Sequence, residues 1–83
     1  MTMRPRVTLY TRAGCHLCDD AKSVLAAAGS RAQFDYEERD IDADPELRRL
    51  YHEEVPVIAI DGRKAFKYRV DMDEFLKRLA AHR

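Results

Sequence analysis

The sequence predicts an α/β fold with the element order β-α-β-α-β-β-α. Three observations predict it. A short strand-like segment leads into an apolar stripe with helical spacing and a second strand-like segment within about 35 residues, which is typical of a βαβ unit. An Asp-Gly pair between two later segments predicts a hairpin. Two further segments begin with residues that favour helix starts.

The first strand and the first helix flank the two cysteines. Residues 7–10 (VTLY) are rich in β-branched and aromatic side chains, which predicts a buried strand. The helix is predicted from apolar side chains at Leu17, Ala21, Val24, Leu25 and Ala28. Gly29 follows this stripe, and we expect it to end the helix at the C′ position.

The second strand and the second helix follow among acidic residues. Phe34 and Tyr36 alternate with acids, which predicts a strand, and Ile41 lies further along. Residues 44–46 (DPE) predict a helix start, because Asp accepts from free amides and Pro suits the first turn. One face of this helix is expected to carry Leu47, Leu50 and Tyr51.

The last three elements are a hairpin and a helix. Residues 55–60 (VPVIAI) form the most apolar stretch, and Asp61-Gly62 predicts a tight turn into residues 63–68. Residues 70–75 (VDMDEF) combine an Asp cap, a Glu three positions later and an apolar pair, which predicts the last helix. Its inward face is expected to carry Leu76, Leu79 and Ala80.

Length and charge restrict the kind of protein. Eighty-three residues predict one domain over residues 1–83. Fifteen basic and fifteen acidic residues leave no net charge, so neither nucleic acid nor an anionic membrane is an expected partner. No apolar run approaches the roughly 20 residues of a membrane helix, and residues 1–6 lack the pattern of a signal peptide. We therefore expect a cytoplasmic protein.

Cys15 and Cys18 are placed where thiol chemistry is favoured. Cys15 comes at the predicted helix start, where free amides and the helix dipole stabilise a thiolate. Cys18 lies one turn further on, which suits an attacking and a resolving thiol. Arg12 and His16 would support the thiolate, whereas acids in the first turn would oppose it.

Metal binding and inert packing are the alternatives for this CxxC pair. A zinc or iron-sulfur site usually needs four ligands, and this chain has one cysteine pair with His52 and His82 far apart in sequence. Cytosolic thiols are normally kept reduced, so a lasting structural disulfide is uncommon there. A CxxC pair after the first strand of a βαβ unit favours a redox function.

Four segments of the chain resemble the glutaredoxin-like members of the thioredoxin superfamily, in particular small uncharacterised bacterial ones. The segments are LYTRAGCHLC, RDIDADPELRRLY, EEVPVIAIDG and YRVDMDEFLKRL, and the resemblance spans about residues 6–79. It implies a thioredoxin-like fold, with a four-stranded mixed sheet flanked by three helices. It also implies a cis peptide bond between Val55 and Pro56.

The resemblance implies a thiol-disulfide oxidoreductase that reduces protein disulfides or glutathione mixed disulfides. The catalytic residues would be Cys15 and Cys18, with no metal ligand. The substrate-binding residues would be Arg12, His16, Val55, Pro56 and Asp71. No bound cofactor is implied; glutathione would serve as reductant or co-substrate. The partner would be a disulfide-containing or glutathionylated protein, and the chain is expected to be a monomer.

Two departures from the family pattern keep other functions open. His16-Leu17 replaces the usual Pro-Tyr between the cysteines, and residues 67–71 (KYRVD) lack the Gly-Gly that helps to hold glutathione. Side chains would then stand where the backbone should approach that ligand. One alternative is a non-catalytic carrier of a metal or iron-sulfur group, with two chains each giving a cysteine. Another is a domain that docks extended peptides at Val55.

Overall fold

The helices and strands follow the predicted order. The computed structural model describes residues 4–81, so residues 1–3 and 82–83, His82 among them, lie outside the described part of the chain. The elements are β1 (Arg6–Thr11), α1 (His16–Ala28), β2 (Asp35–Asp40), α2 (Pro45–Tyr51), β3 (Val57–Ile60), β4 (Arg63–Lys67) and α3 (Met72–Ala81). A 3₁₀ turn at Ile41–Ala43, which is not among the predicted elements, precedes α2. No helix within residues 4–81 is long and apolar enough to cross a membrane.

The four strands form one mixed sheet in the order β2-β1-β3-β4. β1 and β2 are parallel, with Val7 opposite Tyr36, as expected for strands joined by a helix. β1 and β3 are antiparallel, with Tyr10 opposite Val57, and β3 and β4 form an antiparallel hairpin. The predicted four-stranded mixed sheet is therefore confirmed, with β2 and β4 at its edges.

The main core lies between the sheet and helices α1 and α3. Alternate residues of the central strands face these helices because successive strand side chains point to opposite faces. The buried residues of this cluster are Val7, Leu9, Ile58 and Ile60 from the sheet, Ala21, Leu25 and Ala28 from α1, and Phe75 and Leu79 from α3. This packing holds the start of α1, and with it the cysteine pair, against the end of β1.

Helix α2 lies on the opposite face of the sheet. Tyr10 points away from the main core, and its ring lies 4.8 Å from the ring of Tyr51, centroid to centroid. The helix nevertheless buries none of its residues completely, and Leu50 remains 48% exposed. The face predicted to carry Leu47, Leu50 and Tyr51 is thus only partly covered, and the predicted inward placement of Ala80 is wrong, because Ala80 is exposed in α3. Apolar character alone did not show which sides of these helices would find a partner.

The turns agree with local sequence signals in two cases and differ in a third. Asp61 and Gly62 have φ angles of 51° and 85°, which form the predicted tight hairpin turn. Asp44 caps α2 by accepting from the amide of Glu46 at 2.9 Å. Gly29 caps α1 in the right-handed conformation, with φ −61°, so the expected C′ position is wrong. The chain continues there into a further turn, in which Arg31 donates to the Ala28 carbonyl.

Candidate active site

Cys15 is the N-cap residue of α1, which places its sulfur among free backbone amides. Its backbone is extended, and its Sγ accepts from the amide of Cys18 at 3.2 Å. Gly14, directly before it, has φ 76°, a conformation that a side chain would strain, so the chain turns sharply from β1 into α1. A thiolate at Cys15 receives a charge-assisted hydrogen bond at the positive end of a helix.

Cys18 lies one turn further into α1 and has no solvent exposure. Burial, followed by its hydrogen bond with Cys15, raises the pKa of the Cys18 thiol, whereas the Thr11 side chain and the Arg12 backbone oppose this. Both cysteines are free thiols in this structure. The pair therefore combines a partly exposed, amide-supported sulfur with a buried one that favours the neutral form.

Arg12 is held by an ion pair and does not stand free beside the cysteines. Its Nε and Nη2 donate to the two carboxylate oxygens of Asp42 at 3.2 and 2.6 Å, and its Nη1 donates to the His52 carbonyl at 3.0 Å. The hydrogen bond to Asp42 raises the pKa of Arg12 and lowers the pKa of Asp42. Arg12 thus ties the loop before Cys15 to the 3₁₀ turn and to the end of α2.

The two residues between the cysteines face outward. His16 is the first residue of α1 and is exposed. Leu17 is 36% exposed, although it belongs to the apolar stripe that predicted the helix. Asp19 and Asp20 are also exposed in the first turn. The rim of the cysteine pair therefore carries an imidazole and an apolar side chain.

The Val55–Pro56 segment lies beside the end of β1. Its peptide bond is cis, as predicted. Val57, the first residue of β3, pairs with Tyr10 near the end of β1. Val55 and Pro56 directly precede Val57, so they lie next to the end of β1, where the loop that carries Cys15 begins. Pro56 is buried and its carbonyl accepts from Tyr68 at 2.8 Å, whereas within residues 4–81 the Val55 backbone shows no hydrogen bond to the chain. The Val55 backbone thus has no partner among the described residues, and the residue is half-buried.

Tyr68 and Asp71 occupy the segment between β4 and α3. Tyr68 has φ 70° in a turn closed by the hydrogen bond from Arg69 to the Lys67 carbonyl at 2.8 Å, a strained conformation for an aromatic residue. Asp71 caps α3 by accepting from the amide of Glu74 at 3.1 Å. A cavity of about 190 Å³ separates α1 from residues 68–70, with Leu17 on its wall.

The structure thus brings Arg12, Cys15 and Cys18 together and places Val55 and Pro56 beside the end of β1. Sequence reasoning missed Asp42, Thr11 and the turn at Tyr68. Asp42 lies among several acids, and no local pattern distinguishes it as the partner of Arg12. Within residues 4–81, no three side chains of His, Cys, Asp and Glu are grouped so that they could hold a metal ion.

Comparisons with known proteins agree on the family and the fold. A family model described as a glutaredoxin-like domain (DUF836) matches residues 6–80. An uncharacterized protein of Mycobacterium tuberculosis is 37% identical over 73 residues, which cover 82% of this chain and 75% of that protein. The X-ray structure of a structural genomics target protein from X. campestris is 36% identical with a TM-score of 0.77, covering 93% and 99% of the two chains. Reduced desulfothioredoxin from Desulfovibrio vulgaris Hildenborough is 28% identical with a TM-score of 0.69, covering 95% and 81%.

Proposed function

Because the chain belongs to the glutaredoxin-like domain (DUF836) family and has a thioredoxin-like fold, we propose that it is a thiol-disulfide oxidoreductase. The observation that carries the proposal is the asymmetry of the cysteine pair. Cys15 caps α1 with its sulfur on the Cys18 amide, while Cys18 is completely buried. An accessible attacking thiol and a shielded resolving thiol are what disulfide exchange requires.

The proposed reaction consists of two thiol-disulfide exchanges. The Cys15 thiolate attacks a substrate disulfide, so that a Cys15 mixed disulfide forms and one substrate thiolate leaves. Cys18 then loses its proton to solvent and attacks Cys15 Sγ, which expels the second substrate thiolate. The substrate gains two electrons, and the Cys15–Cys18 pair is oxidised to a disulfide. Two molecules of an external thiol such as glutathione restore the dithiol by the reverse exchanges and leave as their own disulfide.

We assign protein disulfides and glutathionylated proteins as the substrates. The Val55 backbone, which has no partner among the described residues, suits an extended polypeptide, which would pair with it as with an added strand. At residues 68 and 69 the side chains of Tyr68 and Arg69 are exposed, and they favour a polypeptide over glutathione alone. His16 and Asp71 would contact the substrate at the rim. The proposal places the protein in the cytoplasm as a monomer.

Arg12 has a positioning role in this proposal. Its guanidinium is shared between Asp42 and the His52 carbonyl, so its charge is largely neutralised. It would hold the cysteine loop in place, and the positive charge that Asp42 does not neutralise would still attract a thiolate at Cys15. Substrate binding by Arg12 would require the ion pair with Asp42 to open.

Two cysteine variants test the proposed function. In Cys15→Ser, the rate of protein disulfide reduction should fall to the uncatalysed background, because no attacking thiolate remains. Cys18→Ser should lose protein disulfide reduction but keep activity on a glutathione mixed disulfide, since free glutathione can resolve that intermediate. The measurement is turnover coupled to glutathione oxidation, with a glutathionylated peptide and a disulfide-bonded protein as alternative substrates.

Full reductase activity in Cys15→Ser would contradict the proposal. Visible absorbance together with stoichiometric metal in anaerobically purified wild-type protein would support the metal or iron-sulfur carrier instead. Peptide binding that is unchanged in both cysteine variants, without turnover, would support the docking alternative.

A further inference from the structure

Thr11 carries a buried hydroxyl without an ordinary hydrogen bond. It is the last residue of β1 and is 7% exposed. Within residues 4–81, its Oγ1 is the one buried side-chain oxygen or nitrogen that has no hydrogen-bond partner. The other buried threonine of β1, Thr8, donates to Glu37 Oε1 at 3.1 Å. A buried hydroxyl without a partner is uncommon and calls for a physical explanation.

Strand alternation points the Thr11 side chain toward the buried cysteine. Val7 and Leu9 face helix α1, and Thr11 continues this face because residues two apart share a side of the sheet. Cys18 is buried on the sheet-facing side of α1, in line with Ala21 and Leu25. The hydroxyl and the thiol therefore share the boundary between the end of β1 and the first turns of α1.

The surroundings of Cys18 include few groups that can support a negative charge. Burial and the neighbouring Cys15 raise the pKa of the Cys18 thiol, and Thr11 together with the Arg12 backbone lowers it. Among the groups that shift the pKa of Cys18, the thiol of Cys15 is the one that can itself ionise. The Arg12 guanidinium is directed to Asp42 and His52, so it supplies no hydrogen bond to this sulfur.

We propose that the Thr11 hydroxyl is the hydrogen-bond donor that stabilises the Cys18 thiolate during the resolving step. This inference rests on the proposed redox function and adds a residue to it. In the dithiol, the hydroxyl lies beside a neutral, weakly accepting sulfur and lacks a strong partner. When Cys18 ionises, the sulfur becomes a strong acceptor, and the donor is already in place.

The step in which Thr11 acts is the release of the product. The Cys18 proton passes to solvent buffer, and the thiolate attacks Cys15 Sγ. The Cys15–Cys18 bond forms, the bond from Cys15 to the substrate sulfur breaks, and that sulfur leaves with the electron pair. Thr11 donates its hydrogen bond before the attack and gives up no proton, so the step needs no other oxidant or reductant.

Stopped-flow reaction with one equivalent of 5,5′-dithiobis-(2-nitrobenzoate) separates the two thiols. Attack by Cys15 releases one coloured thionitrobenzoate and leaves the other on Cys15. Attack by Cys18 then releases the second. The first phase therefore reports Cys15, and the second phase reports Cys18. Both phases are measured over a range of pH for the wild type and each variant.

Thr11→Val removes the hydroxyl but keeps the branched shape. Its second phase should be about tenfold slower near neutral pH and its pH profile should move upward, since one pKa unit changes the thiolate fraction tenfold. The first phase should not change. Thr11→Ser should restore most of the second-phase rate, because it keeps the donor. Thr8→Val is the matched control, since Thr8 is buried on the same strand and faces the other side.

A second phase in Thr11→Val with the wild-type rate and pH profile would overturn the inference. Equal slowing by Thr11→Val and Thr8→Val, or equal slowing of both phases, would also overturn it, because a general loss of structure would explain either result. If Thr11→Val does not fold, Thr11→Ala is compared with Thr11→Ser instead, and the second phase should be slower in Thr11→Ala only. Absence of a second phase in the wild type would instead contradict the proposed redox function.

Discussion

At the residue scale, the two cysteines show how one helical turn separates two chemical environments. Cys15 is outside the helix and has an amide on its sulfur, whereas Cys18 is inside the first turn and has no exposed surface. The same thiol group therefore meets hydrogen-bond donors at one position and low polarity at the other. In the proposed function, this difference in environment, more than the CxxC spacing itself, would distinguish the attacking thiol from the resolving thiol.

The Arg12–Asp42 pair leads to a prediction about pH and stability. Because the hydrogen bond to Arg12 lowers the pKa of Asp42 in the folded state, this carboxylate stabilises the fold above the ordinary Asp value of about 3.9. The contribution is lost as the pH falls through the lower, folded-state pKa. We therefore expect Asp42→Asn to unfold at lower denaturant than the wild type at neutral pH, and this difference to vanish in strong acid.

Chemical unfolding at a series of pH values measures this difference. Arg12→Gln is the matched control, because it breaks the same pair from the other side. In the double variant the two losses should not add, since both remove a single interaction. A wild-type advantage over Asp42→Asn that persists unchanged in strong acid would contradict the role assigned to the ion pair.

At the element scale, α2 depends on contacts at its two ends. It has seven residues and buries none of them completely. The Asp44 cap and Pro45 fix its start, while the Tyr51 ring against Tyr10 and the His52 carbonyl on Arg12 hold its end. So short a helix is marginal without tertiary support. Its end contacts also hold Arg12, so changes in α2 should reach the cysteine loop.

Asp44→Ala tests the dependence of α2 on its cap. Loss of an N-cap costs about 1 kcal/mol, so we expect faster amide hydrogen exchange in α2 together with a loss of global stability of this size. Asp44→Asn is the matched control, because Asn caps about as well as Asp and should change stability by only a few tenths of a kcal/mol. Unaltered exchange in α2 of Asp44→Ala would show that the end contacts alone maintain the helix.

At the scale of the whole molecule, one aromatic cluster joins elements that are distant in the chain. Phe75 of α3 is completely buried, and its ring lies 5.5 Å from that of Phe34 and 6.3 Å from that of Phe66, centroid to centroid. Phe34 precedes β2 and Phe66 belongs to β4, so the cluster links both edge strands to the helix. Its loss should therefore weaken the fold as a unit.

Phe75→Ala should destabilise the protein by about 3–5 kcal/mol, because it removes a large buried side chain and leaves a cavity. Small domains are stable by only about 5–15 kcal/mol, so the variant should be close to unfolding. Equilibrium denaturation followed by circular dichroism measures the change. Tyr36→Ala is the matched control, since Tyr36 is 42% exposed, and we expect at most about 1 kcal/mol there. Equal losses in the two variants would contradict this account of the core.

The sequence by itself determined the features that depend on neighbouring residues. The cap at Asp44, the turn at Asp61-Gly62, the start of α1 at the cysteine pair and the order of elements are all set by short-range hydrogen bonds, backbone preferences and apolar spacing. These signals, together with the resemblance to a known family, were enough to predict the family, the thioredoxin-like fold and the positions of both cysteines.

Only the tertiary structure decided which distant groups meet. Arg12 and Asp42 are 30 residues apart and pair because β1 and the end of β2 are adjacent in the sheet. The Thr11 hydroxyl is buried because α1 packs over the face of β1 that carries it, and Leu50 stays exposed because none of residues 4–81 covers that side of α2. Such contacts depend on strand order and packing, and no local pattern in a single sequence carries that information.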